Sequence, residues 1–127
     1  MATTLPLGTQ VEAFFAQWVA ALQAGDAAFL FGRLHPAVVE RYGEPACRTY
    51  LGGFRFPAAA VQVLSSDAAT AVWAWDTDGR SSPIADAVGV RLRRTEDGAT
   101  FTESDAHVAL VDGEIRWFTD CGTPKEA

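Results

Sequence analysis

No apolar run in this chain approaches the roughly 20 residues that a membrane-spanning helix needs. The opening stretch, residues 1–8, has neither a positive n-region nor a long apolar h-region. A secretion signal is therefore not expected, and the cytoplasm is the expected compartment. Positive charge is scarce: 10 Lys and Arg face 16 Asp and Glu, for a formal net charge of −6 and a pI near 4.7. Arg91, Arg93 and Arg94 form the one dense basic group, and Glu96 and Asp97 follow at once. Such a surface repels phosphate backbones and anionic lipid, so neither nucleic acid nor membrane is an expected partner. Histidines number two and cysteines two, with no CxxC. That is too few for a convincing zinc site, so no metal and no cofactor are expected. GxSxG, HExxH and a phosphate-cradling glycine loop are also missing.

Cys47 and Cys121, far apart in a chain expected to be cytoplasmic, read as buried thiols. A disulfide would need their Cα atoms within about 7 Å, which spacing cannot show. No internal repeat, low-complexity tract or interdomain linker divides the chain. Its 127 residues, 49% hydrophobic and 20% charged, fit one globular domain. Residues 1–8 and 123–127 are expected to be loose ends.

The elements come in a fixed order. Thr9 and Glu12 predict a capping box at the start of a helix. Val11, Phe14, Phe15, Trp18, Val19 and Leu22 then form one apolar stripe, and Gly25 ends it. Asp26 is the natural N-cap of a second, shorter helix carrying Phe29, Leu30 and Leu34. His35-Pro36 breaks or kinks that helix, with His35 expected to cap its last carbonyls. Pro45 suits the first turn of a third helix, stopped by Gly52-Gly53. After Pro57 the chain predicts strands at Ala58–Leu64, Ala69–Asp76, Ile84–Arg93, Thr100–Val111 and Glu114–Cys121. Asp112-Gly113 is a tight-hairpin signal. Helices followed by antiparallel strands mean an α+β fold, with the helices on one face of the sheet.

Three segments resemble a known group. Trp18-Val19-Ala20-Ala21-Leu22-Gln23-Ala24-Gly25-Asp26 is similar to the end of the first helix in ketosteroid isomerase-like proteins. Gly43-Glu44-Pro45-Ala46-Cys47-Arg48-Thr49-Tyr50-Leu51 resembles their short helix after a glycine. Val111-Asp112-Gly113-Glu114-Ile115-Arg116-Trp117-Phe118 resembles their final hairpin. Together, in this order, they resemble the nuclear transport factor 2-like superfamily, including its SnoaL-like members. The resemblance implies a cone-shaped, cystatin-like α+β roll, with a strongly curved antiparallel sheet around the first helix. It implies an apolar pocket at the wide end and, in many members, a homodimer through the convex sheet face. One strand more than ketosteroid isomerase carries is expected after the third helix, so either the sheet is extended or Ile84–Arg93 is partly loop. Members of the superfamily include isomerases, dehydratases and cyclases as well as proteins without catalysis, so the fold does not give the function.

The isomerase roles are carried over residue by residue. A Tyr on the first helix matches Trp18, which donates one hydrogen bond but lacks a phenol's acidity. The base Asp has no counterpart, and Glu40 and Tyr42 are the nearest substitutes. Asp105 matches the oxyanion-stabilising Asp. Strand alternation puts Glu103, Asp105 and His107 on one face and Ser104, Ala106, Val108 and Leu110 on the other. Asp105 and His107 would stand about 7 Å apart by strand rise. They are the candidate catalytic pair, with His107 the candidate acid or base and a carboxylate able to raise its pKa. A solvent-facing polar stripe is the plain alternative. Trp73 and Trp75 share a face and are core or interface residues, or else stack on a ligand. Asp120 resembles an acid that SnoaL-like members carry on the last strand. Two functions follow as expectations. One is a small-molecule-binding domain for an apolar or carbonyl-containing ligand, with cofactor-independent proton transfer of the dehydratase, isomerase or cyclase type. The other is a non-catalytic homodimeric interaction or ligand-sensing module.

Overall fold

The computed structural model describes residues 5–53, 60–77, 79–96 and 100–122. The expected loose tail at 123–127, residues 1–4 of the expected loose N-terminal end, Ala58 and Ala59 of the expected Ala58–Leu64 strand, and Asp78, Asp97 and Gly98 of two expected loops lie outside these residues. Four helices precede a five-stranded antiparallel sheet, which is the α+β order that the hydrophobic patterns imply.

Helix α1 spans Leu7–Ala24 and starts directly after Pro6. The capping box is not formed: the N-cap is Pro6, no side chain caps the helix, and Thr9 lies inside the first turn. Proline fixes an extended φ, here −55° with ψ 147°, and its carbonyl accepts from Gln10 N at 3.1 Å. Leu7 and Gly8 are thus helical, not part of a loose end. The stripe buries Val11, Phe14, Phe15, Ala21 and Leu22. Gly25 closes the helix with φ +69°, and Asp26 N–H bonds back to Ala21 O at 2.8 Å.

Helix α2 spans Ala27–Gly32, and the Asp26 carboxylate accepts from Phe29 N at 3.1 Å, the expected N-cap. Pro36 does not simply break the chain. It opens a separate helix α3, Pro36–Tyr42, because the first helical position needs no N–H and favours proline's φ. His35, held extended by the following proline, caps the start of α3 and not the end of α2: its Nδ1 accepts from Ala37 N at 3.0 Å. Helix α4, Glu44–Gly52, carries Pro45 in its first turn.

Strands β1 (Ala60–Ser66) and β2 (Ala71–Thr77) both run antiparallel to β3 (Arg80–Glu96). They lie in succession along one edge of β3, and β4 (Thr100–Val111) lies along the other. Ile84–Arg93 is therefore strand throughout, inside the longest strand described. Strand β5 is only Glu114–Arg116, shorter than the expected Glu114–Cys121. The Asp112-Gly113 turn has φ +51° and +77°, the left-handed pair of a type I′ hairpin. Beyond β5 the chain leaves the sheet and pairs with the α2–α3 junction. Trp117 N–H bonds to Arg33 O and His35 N–H to Trp117 O, both at 2.9 Å.

Strand β3 bends at Ala85–Asp86. Between the pairs Ala71↔Ala87 and Trp73↔Ile84 it carries one residue more than β2, and Asp86 takes φ +55°. Beyond the bulge the β2–β3 hairpin meets α3 through Arg41, which donates to Ser82 Oγ and Thr77 O. Asp86→Gly, which relieves the left-handed strain, should keep or raise stability, whereas Asp86→Val should lose about 1–3 kcal/mol in urea unfolding.

The core lies between the helices and one sheet face, where Val88, Val90, Val108 and Ile115 meet Phe14, Leu30 and Val38. Cys47 on α4 and Cys121 are both buried, and they form a disulfide with Cα atoms 4.9 Å apart. The expected free thiols are thus paired. Among the described residues, no helix is long and apolar enough to cross a membrane.

Candidate functional site

An open cleft of about 1250 Å³ runs between α3, the bent first half of β3 and the β4–β5 turn. Its lining includes His35, Glu40, Arg41, Arg80, Ser82 and Asp86. Each is placed by a local rule. His35 is fixed as the N-cap of α3. Glu40 and Arg41 are adjacent on α3, so helical pitch points them in different directions, Glu40 exposed and Arg41 buried. Arg80, Ser82 and Ile84 alternate onto one face of β3, and Ile84 is buried there.

Arg41 is the one buried charged residue among those described, at 8% exposure. Its guanidinium lies 4.0 Å from the centre of the Trp75 ring. Nη2 donates to Ser82 Oγ at 2.5 Å and Nη1 to Thr77 O at 3.4 Å. The whole fork is therefore held by neutral groups: an aromatic face, a hydroxyl and a carbonyl.

His35 stacks on Phe118 with ring centres 4.8 Å apart. Burial lowers its pKa, and Arg116 lowers it further. With Nδ1 accepting from the backbone, the neutral ring carries its proton on Nε2, leaving one N–H donor beside the cleft. Phe118 also meets Trp73 and Trp75, at 5.1 and 5.4 Å between ring centres. Trp73 in turn stacks flat on His107, at 4.1 Å and 4°. An unbroken aromatic run thus links the cleft to the outer sheet face.

The sequence-predicted residues fall in different places. Glu40 lines the cleft, and Trp75 lies under Arg41 beside it. Tyr42 is buried in the core at 2% exposure. Trp18 is half-buried and packs edge-to-face on Phe15 and Trp117. Asp105 and His107 do not line the cleft. The Asp105 side chain is 77% exposed and paired with Arg91 at 2.9 Å. Arg91 and Arg93 each also approach Glu103, at 3.9 Å, so this sheet face carries a ladder of ion pairs. Burial lowers the His107 pKa and outweighs Asp67 and Asp105, which act to raise it. The expected rise does not prevail, because Trp73 covers the ring while both carboxylates are exposed. Asp120 accepts from Gly122 N at 2.7 Å, a local turn at the chain's end.

Pro36 can break a helix or open one, and only the second choice places Arg41 against Ser82. Once Pro36–Tyr42 is a helix, Val38, Arg41 and Tyr42 share a face at i, i+3 and i+4, and the arginine must go inward with its neighbours. Among the described residues, no group of three or more His, Cys, Asp or Glu could hold a metal ion. Comparison of the chain with protein-family models, with curated proteins and with solved structures found no match.

Proposed function

We propose that this chain is a small-molecule-binding domain of the SnoaL-like, nuclear transport factor 2-like kind, and that the cleft beside α3 takes the ligand. Helices ahead of an antiparallel sheet, a bent long strand and a tight final hairpin support the cone-shaped roll. The observation that carries the binding reading is the cleft itself. It is open to solvent and, at about 1250 Å³, has room for a drug-sized ligand lying against its wall. Its wall is shaped by a left-handed Asp86 and lined by polar groups that converge from two elements.

Binding is a better reading than proton transfer by Asp105 and His107, since both stand off the cleft and Asp105 is engaged by Arg91. The ion-pair ladder also argues against a dimer through that face, because the centres of interfaces are depleted in charge. The buried disulfide favours an oxidising compartment over the cytoplasm.

A screen of small neutral aromatic fragments by ligand-observed NMR tests the site. Ala85 is exposed at the cleft wall, so Ala85→Trp fills the mouth without touching the core. Fragments that bind wild type should lose their signal with Ala85→Trp. Fragments that bind both proteins equally, or none that bind wild type, would overturn the reading.

A further inference from the structure

We infer that the cleft recognises a carboxylate, and that Arg41 is the residue that pairs with it. The inference rests on the small-molecule reading of the cleft and adds the chemical class of the ligand. A guanidinium is costly to bury unless something compensates its charge. The salt bridges among the described residues reach Arg33, Arg48, Arg91, Arg93 and Arg116, and none reaches Arg41, the most buried of the described arginines. What Arg41 does have is positioning. Trp75 supports its flat face, Ser82 and Thr77 hold its two Nη atoms, and its place in the last turn of α3 sets it near the negative end of that short helix. These contacts fix the fork's orientation without neutralising it. A fork held in this way at a cleft wall is prepared for a planar anion, and a carboxylate fits it in two parallel hydrogen bonds.

The neighbours set the rest of the ligand. Arg80 lies on the same face of β3 as Ser82 and adds a second positive charge near Arg41. Glu40, Asp86 and Asp112 also border the cleft, while the contacts of Arg41 are to Ser82, Thr77 and Trp75. These three carboxylates repel negative charge throughout the cleft, so an anion is held only at the Arg41 fork, and a single carboxylate fits better than a diacid or a phosphate. Ile84, Leu110 and Pro83 supply apolar wall, and His35 an N–H donor. The expected ligand is therefore a small amphipathic monocarboxylic acid.

The probes are 3-phenylpropionate, its uncharged amide and inorganic phosphate, titrated into wild type, Arg41→Met and Arg41→Lys with thermal unfolding and calorimetry as readouts. Without ligand, Arg41→Met should unfold at or above the wild-type temperature, by about 3 °C, because a buried uncompensated charge has been removed while the stem still covers Trp75. Wild type should bind the acid at least about tenfold more tightly than Arg41→Met, and the amide should not distinguish the two. Arg41→Lys keeps the charge and loses the fork, so its affinity should lie between them, and it serves if Arg41→Met does not fold. Equal binding of acid and amide, or of acid to all three proteins, would overturn the carboxylate inference and leave the cleft reading intact. Preference for phosphate over the acid would also overturn it. If the acid fails to bind wild type while neutral fragments still bind in the cleft, only the inference falls. If nothing binds, both fall.

Discussion

Replacing Cys47 and Cys121 together by alanine should remove about 4 kcal/mol of stability, measured as a fall in urea midpoint with a steeper slope, because the unfolded chain without the cross-link exposes more surface. The estimate follows from loop length. The bond closes a loop with a sequence separation of 74, and cross-linking so long a loop removes much of the freedom of the unfolded chain. The packing loss adds little, because each sulfur gives way to a smaller apolar group at an already buried position. The bond also has a local part. Cys121 follows the stretch that carries Trp117 and Phe118, and Cys47 anchors that stretch to α4. Freed of the anchor, Phe118 should hold His35 and the two tryptophans less firmly. A double variant within about 1 kcal/mol of wild type would mean that the two thiols are not joined in solution.

Trp117→Ala should cost about 3–5 kcal/mol. Trp117 is 6% exposed and packs on Trp18, with ring centres 5.6 Å apart. Its indole N–H donates to Leu30 O at 2.8 Å in the buried core, and its backbone ties the last segment to Arg33 and His35. Truncation leaves a cavity between α1 and the sheet and strands the Leu30 carbonyl. Trp117→Phe separates these two costs. It keeps most of the volume and should lose about 1–3 kcal/mol, the penalty for the unpaired carbonyl. Two equal losses would show that the hydrogen bond, not the packing, dominates at this position.

The order of elements was legible because each was marked by a strong local rule. The apolar stripe of α1, the Asp26 cap, Pro45 in a first turn and the Asp112-Gly113 hairpin each have a purely local cause. What local rules missed depended on choices between two permitted structures. Pro36 can end a helix or begin one, and only the extended His35 before it decides for a beginning. Pro6 took the N-cap place that Thr9 could have filled, since the apolar face continues back to Leu7. The residues after β5 have a strand's composition, yet their backbone partners lie on the α2–α3 junction. The candidate site was legible in part. Alternation put Glu103, Asp105 and His107 on one face, and they are there, but alternation could not say which face meets solvent once charged partners on β3 stand opposite. Trp73 and Trp75 were recognised as a pair, while Arg41, which gives Trp75 its place beside the cleft, was concealed inside an unrecognised helix.

A two-dimensional amide NMR titration of wild type with 3-phenylpropionate locates the ligand most directly. Shifts are expected at the amides of α3, at the β3 amides between Arg80 and Asp86 other than Pro83, and at the Arg41 Nε–H, with the amides around Asp105 unmoved. Shifts centred on Asp105 and His107 with Arg41 unmoved, or no shifts at all, would contradict a carboxylate site at Arg41.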